Sequence, residues 1–233
     1  LSVRRKNTKE MFGGFLKSVM KTADEVLVSG AKDGDEFFEH EKTFLVEYGI
    51  KIKDSATKAE KMTRSHRNVS DDYLHLSSSC NELAIENKAP LNNYYLKLCE
   101  LFEKLRKVEG RVSSDEDLKL TELLKYYMRD IQAAKDLLYR RARALVDYES
   151  ANKALDKARM KGKDVKQVEL QHQLSGQKFE KLSDSARQEL TAFRGRRVEA
   201  FRKNLIEMTE LELKHARNNA QMLQNCLAAL MSN

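Results

Sequence analysis

Residues 102–159 read FEKLRKVEGRVSSDEDLKLTELLKYYMRDIQAAKDLLYRRARALVDYESANKALDKAR, with no proline and one glycine, Gly110. Leu105, Val108, Val112, Leu120, Leu123, Tyr127, Ile131, Ala134, Leu138, Leu145, Tyr148 and Leu155 recur at steps of three, four, seven or eight. Those steps return to one face of an α-helix. At 1.5 Å per residue the stretch alone would reach roughly 85 Å. A globular chain of this length has a radius of gyration of only about 17–18 Å, so the helix must belong to an elongated bundle.

The rest of the 233-residue chain agrees. It holds one proline, Pro90, and nine glycines, four of which (Gly13, Gly14, Gly30, Gly34) fall in the first 34 residues. A sheet protein needs turn residues every 8–12 positions, and an α/β enzyme needs glycine-rich loops, so both classes are excluded. The expected fold class is all-α: an elongated antiparallel three-helix coiled coil that dimerises. Residues 1–8 read as a linker remnant and 9–29 as an amphipathic helix with Thr8 as a fair N-cap. Residues 35–231 form the main domain, with helices over about 35–86, 91–160 and 165–231. On the first of these Phe38, Phe44 or Leu45, Ile52, Ala56 or Ala59, Met62, Val69, Tyr73, Leu76, Cys80 and Leu83 mark the apolar face. Ser113–Asp117 (SSDED) is either a bend in the second helix or an exposed turn. Pro90 and the Lys161-Gly162-Lys163-Asp164 run mark the two joints. Gly49 and Gly195 each cost about 1 kcal/mol inside a helix.

Charge narrows the function. Lys and Arg number 43 against 36 acids, a net of +7, and the longest apolar run is Cys226–Met231. A membrane span needs about twenty residues. Leu1 in place of Met is expected of an excised piece, and three widely spaced cysteines (Cys80, Cys99, Cys226) fit a reducing compartment. The five histidines His40, His66, His75, His172 and His215 have no motif spacing, and HExxH, CxxC, P-loop and GxSxG patterns are absent. Asp71-Asp72 and Asp115-Glu116-Asp117 read as solvated helix faces or caps. No catalytic residue, cofactor or metal is expected.

Basic clusters carry the positive reading. Lys153, Lys157, Arg159, Lys161, Lys163 and Lys166 face only Asp156 and Asp164 in the 153–166 stretch. Arg194, Arg196, Arg197, Arg202 and Lys203 form a second cluster, and Arg140, Arg141 and Arg143 a third. No aromatic is interleaved with the 153–166 basics as single-strand binding requires, so nucleic acid is not the expected partner. An anionic membrane is, because each Lys or Arg near such a surface contributes about 1 kcal/mol. Phe12, Phe15, Leu16, Val19 and Met20 of the amphipathic stretch then insert at the interface. Ser55, among Lys51, Lys53 and Lys58, is a candidate regulatory phosphosite.

The quoted stretch, together with FRKNLIEMTELELKHARNN (201–219) and KEMFGGFLKSVMKTADEVL (9–27), closely resembles the BAR domain of PX–BAR sorting nexins with its preceding amphipathic helix. The branch is the one holding sorting nexins 5, 6 and 32, leaning towards the first. The resemblance implies that the dimer is a curved rod, crescent-shaped, as a homodimer or a heterodimer with a sorting nexin 1/2-type BAR protein. It implies work on anionic, phosphoinositide-containing membranes on the cytosolic face of early endosomes and their tubules. It also implies support of tubular carriers in endosome-to-Golgi retrieval.

Overall fold

A computed structural model describes residues 34–232. The expected linker at 1–8 and amphipathic helix at 9–29 lie outside them. The described residues form helices α1 (Glu36–Glu86), α2 (Leu91–Glu116), a π-helical turn (Asp117–Thr121), α3 (Glu122–Lys161) and α4 (Val165–Met231). The Asp35 carboxylate caps α1 by accepting the Phe37 N–H at 3.0 Å. Pro90 immediately precedes α2. The α3–α4 joint is a Schellman turn. Gly162 sits at φ 64°, its N–H donates to the Arg159 carbonyl, and the Lys163 N–H reaches the Ala158 carbonyl. Asp164 follows at φ 56° and its carbonyl accepts from the Val168 N–H, so the local chemistry of Gly-Lys-Asp builds the reversal.

The helices contribute to two compact units. Of the described residues, one comprises 34–46 together with Gln132–Phe193; the other comprises Glu47–Ile131 and 194–232. In the first unit Phe38, Leu45, Ala134, Ala144, Leu155, Ala186, Leu190 and Phe193 are buried. Burying a side chain the size of Leu190 stabilises by about 1.5–3 kcal/mol. Tyr148 of α3 stacks on Phe179 of α4 at 6.1 Å, and Gly176 lets α4 approach that ring, since a Cβ there would stand 3.3 Å from it.

In the second unit α1 runs antiparallel to α2. Ser113 Oγ donates to the Thr63 carbonyl, Ser70 Oγ to the Arg106 carbonyl and Ser77 Oγ to the Cys99 carbonyl, at 3.0–3.1 Å. The buried face of α1 is therefore a seven-residue repeat of small residues: Ala56, Thr63, Ser70, Ser77 and Ala84. Small side chains permit close backbone approach, and each buried hydroxyl finds an acceptor. Phe38, Leu45, Ile52, Ala56 and Ala59 are buried as the sequence reading of α1 expects, and the correction concerns four positions. Met62, Val69, Leu76 and Leu83, one residue earlier in the same repeat, are exposed.

A second correction concerns Ser113–Asp117. It is neither a bend nor an exposed turn: Ser113 and Glu116 are buried, and the chain stays helical through it. Buried positions on α2 step by three and four through Leu101, Leu105, Val108, Val112 and Glu116. The next, Thr121, lies five residues on and is wholly buried. A π turn holds one residue more than an α turn. It returns Thr121, then Leu124 and Tyr127, to the inner face, where Thr121 Oγ1 meets Thr63 Oγ1 at 3.1 Å.

Candidate functional site

The α3–α4 hairpin presents the basic cluster. Lys157, Arg159, Lys161, Lys163 and Lys166 are all exposed around the Schellman turn. Arg159 pairs with Glu169 at 3.2 Å. The four lysines make no ion pair among the described residues, so their charge is available to an outside anion. Met160, 81% exposed, stands among them.

The other basic residues divide. Arg140 and Arg143 are exposed on α3. Arg141 between them is not a surface cation, which corrects the sequence assignment. It is 3% exposed, its guanidinium lies 3.5 Å from the Phe38 ring centre and 5.0 Å from that of Phe179, and its Nε donates to Ser183 Oγ at 3.0 Å. Helix periodicity is the cause: Arg141 is seven residues after Ala134 and seven before Tyr148, on the inner stripe. In the second unit Arg196 is exposed, and Arg194 and Arg197 are half-buried. Arg197 stacks over Tyr48 at 4.5 Å, and burial raises the Tyr48 phenol above its ordinary value, against the opposing charge of Arg197.

Apolar surface in the second unit is arranged, not scattered. On α1 it is the Met62, Val69, Leu76, Leu83 repeat; on α4, Ile206, Leu213 and Leu227 lie at multiples of seven and are exposed. Leu205, Ile206, Thr209, Glu210 and Leu213 frame a shallow depression of about 350 Å³. Ser55 is exposed and lies seven residues before Met62, in the same repeat. No described helix is long and apolar enough to cross a membrane.

Sequence reasoning missed the ionisable groups of this unit. Glu116 is buried, not solvated, and lies 3.4 Å from His66; Asp115 meets His215 at 2.7 Å. No sequence signal marks them, because their burial follows from the packing of α1 and α4 on α2.

Residues 8–167 match the family model described as Vps5 C terminal like. The chain belongs to this family. It is 60% identical over 230 residues to sorting nexin-6 of Homo sapiens and of Mus musculus, covering 99% of this chain and 57% of each relative. It is 57% identical over 233 residues to human sorting nexin-32, covering 58% of that protein. The chain thus spans a little over half the length of these curated relatives. The N-terminal I-BAR domain of D. discoideum IBARa superposes with a TM-score of 0.52 at 15% identity, covering 84% of this chain and 88% of that one. The fold is accordingly of the BAR kind, all-α. Domains of this family are structural modules and not enzymes.

Proposed function

We propose that the chain is the membrane-curvature and dimerisation module of an endosomal sorting nexin. Lys157, Lys161, Lys163 and Lys166, with Arg159, meet the lipid phosphates of anionic, phosphoinositide-containing membranes. Arg140, Arg143, Arg194, Arg196 and Arg197 extend the cationic set, and Phe12, Phe15, Leu16, Val19 and Met20 wedge into the headgroup region. The site of action is the cytosolic face of early endosomes and their tubules, in tubular carriers of endosome-to-Golgi retrieval. The observation that carries the reading is the set of four exposed hairpin lysines that make no ion pair among the described residues. Co-sedimentation of the chain with anionic liposomes at low salt tests it: Lys161→Glu/Lys163→Glu should bind markedly less, and unchanged binding would sink the hairpin assignment.

The outward repeats on α1 and α4 support dimerisation, with a second copy or with a sorting nexin 1/2-type BAR protein. Each large apolar side chain covered by a partner contributes about 1.5–3 kcal/mol. The same repeats favour a second reading, in which the chain chiefly supplies a heterodimerisation surface and binds membrane weakly itself. Light scattering of the chain alone and with a sorting nexin 1-type BAR domain separates the two. A homodimer that tubulates liposomes unaided counts against the second. Ser55 extends the α1 repeat, and a phosphate there adds about −2 charge where a partner would seat. Ser55→Asp with undiminished partner affinity would retire that regulatory role.

A further inference from the structure

The second unit contains a titratable cluster that neither lipid nor partner binding uses. His66 of α1 sits between two carboxylates of α2: Nδ1 is 2.9 Å from Glu109 Oε2, and Nε2 is 3.4 Å from Glu116 Oε1. Glu212 of α4 acts on both His66 and Glu116. One imidazole thus contacts two carboxyls of α2 and feels the charge of a third on α4, and among the described residues no Lys or Arg is among the groups that act on it or on Glu116.

Glu116 is 6% exposed. Its Oε2 and Glu212 Oε1 are buried with no hydrogen-bond donor. A buried carboxylate oxygen without a donor is costly, and a proton on Glu116 removes its charge and supplies a donor. The cluster lies where α2 gives way to the π turn, and the flanking Asp115–His215 hydrogen bond and Lys119–Glu207 ion pair, both 2.7 Å, tie that junction to α4.

We propose that His66, Glu109, Glu116 and Glu212 form a proton-operated latch holding α1 and α4 to the junction of α2 with the π turn. With protons on His66 and Glu116, the imidazolium of α1 donates to Glu109 of α2, and Glu116 is neutral. When both protons leave, a neutral imidazole contacts two carboxylates, with the charge of a third on α4, and the junction loosens. Electrostatics agrees with this geometry. Burial disfavours the imidazolium, but the Glu109 hydrogen bond and the charges of Glu116, Glu109 and Glu212 outweigh it and raise His66 above 6.5. Burial raises Glu116 above 4.5, against the charge of His66 and with help from Glu212 and Glu109.

Both groups hold protons more tightly folded than unfolded. The His66 contribution is complete below pH 6.5 and is lost as pH rises through its folded value; that of Glu116 is complete below 4.5 and is lost likewise. Each proton so linked changes the unfolding constant by up to about tenfold per pH unit within its window.

The test is urea unfolding of the 233-residue chain from pH 4 to 8.5 at fixed ionic strength, with Glu116→Gln alongside, so that the window spans the rise of both groups above their ordinary values. The amide keeps a donor at every pH, so the variant should lose a substantial part of the wild-type pH slope and gain stability relative to wild type at the alkaline end. Equal slopes would overturn the latch. An NMR titration of the wild-type imidazoles, with the His66 signal identified through His66→Gln, decides independently if Glu116→Gln fails to fold. Titration of His66 above 6.5 supports the latch, and titration below it overturns it. Liposome binding enters neither measurement, so the latch and the membrane reading fail separately.

Discussion

The hairpin end of the first unit and the helices of the second dispose of charge in opposite ways. The hairpin puts lysines outside and Leu155 inside, while the second unit exposes Met62, Val69, Leu76 and Leu83 and buries Glu116 beside His66. An exposed charge needs no internal partner and keeps its capacity to meet an anion. A buried carboxyl must be neutralised or hydrogen-bonded, and an ordered apolar stripe in water marks a surface suited to cover. The contrast separates a surface suited to polyanions from one suited to another protein.

The largest expected effect breaks the second half of that contrast. Val69→Asp with Leu76→Asp should abolish association with a BAR partner in light scattering while leaving the helical circular-dichroism signal intact, because both residues are exposed. Next comes the charge the first unit does bury. Arg141→Ala removes the cation between Phe38 and Phe179 and should cost about 3 kcal/mol in denaturant unfolding. Its exposed neighbour Arg140→Ala should stay within about 0.5 kcal/mol. On the hairpin, Lys161→Gln with Lys163→Gln should weaken anionic liposome binding by roughly 30-fold at low salt, at about 1 kcal/mol per charge, and leave stability unchanged. The smallest effect sharpens the seam of α1: Ser77→Ala should cost about 1 kcal/mol, the net worth of its bond to the Cys99 carbonyl.

Much of this was legible in the sequence, for definite reasons. The breakers lie at the joints, since Gly162 and Asp164 adopt the positive φ values that the turn requires. The hairpin lysines are exposed because a cationic run at a helix end has no cheaper place than water. Hydrophobicity alone points inward at Met62, Val69, Leu76 and Leu83 of α1, which are exposed. Serine and threonine on its inner face are buried through bonds to carbonyls of α2, which only a neighbouring helix supplies. Arg141 is a related case: a basic triplet reads as a surface patch, although its middle member falls on the inner stripe.

By itself, then, the sequence determined the all-α class, because this follows from local period and backbone preference. Which face of α1 turns inward, why α2 passes through a π turn, and which carboxyl is buried were decided only by tertiary packing. Those outcomes depend on the fit of one helix against another. The five-residue step from Glu116 to Thr121 has a meaning only once Thr63 is there to meet it.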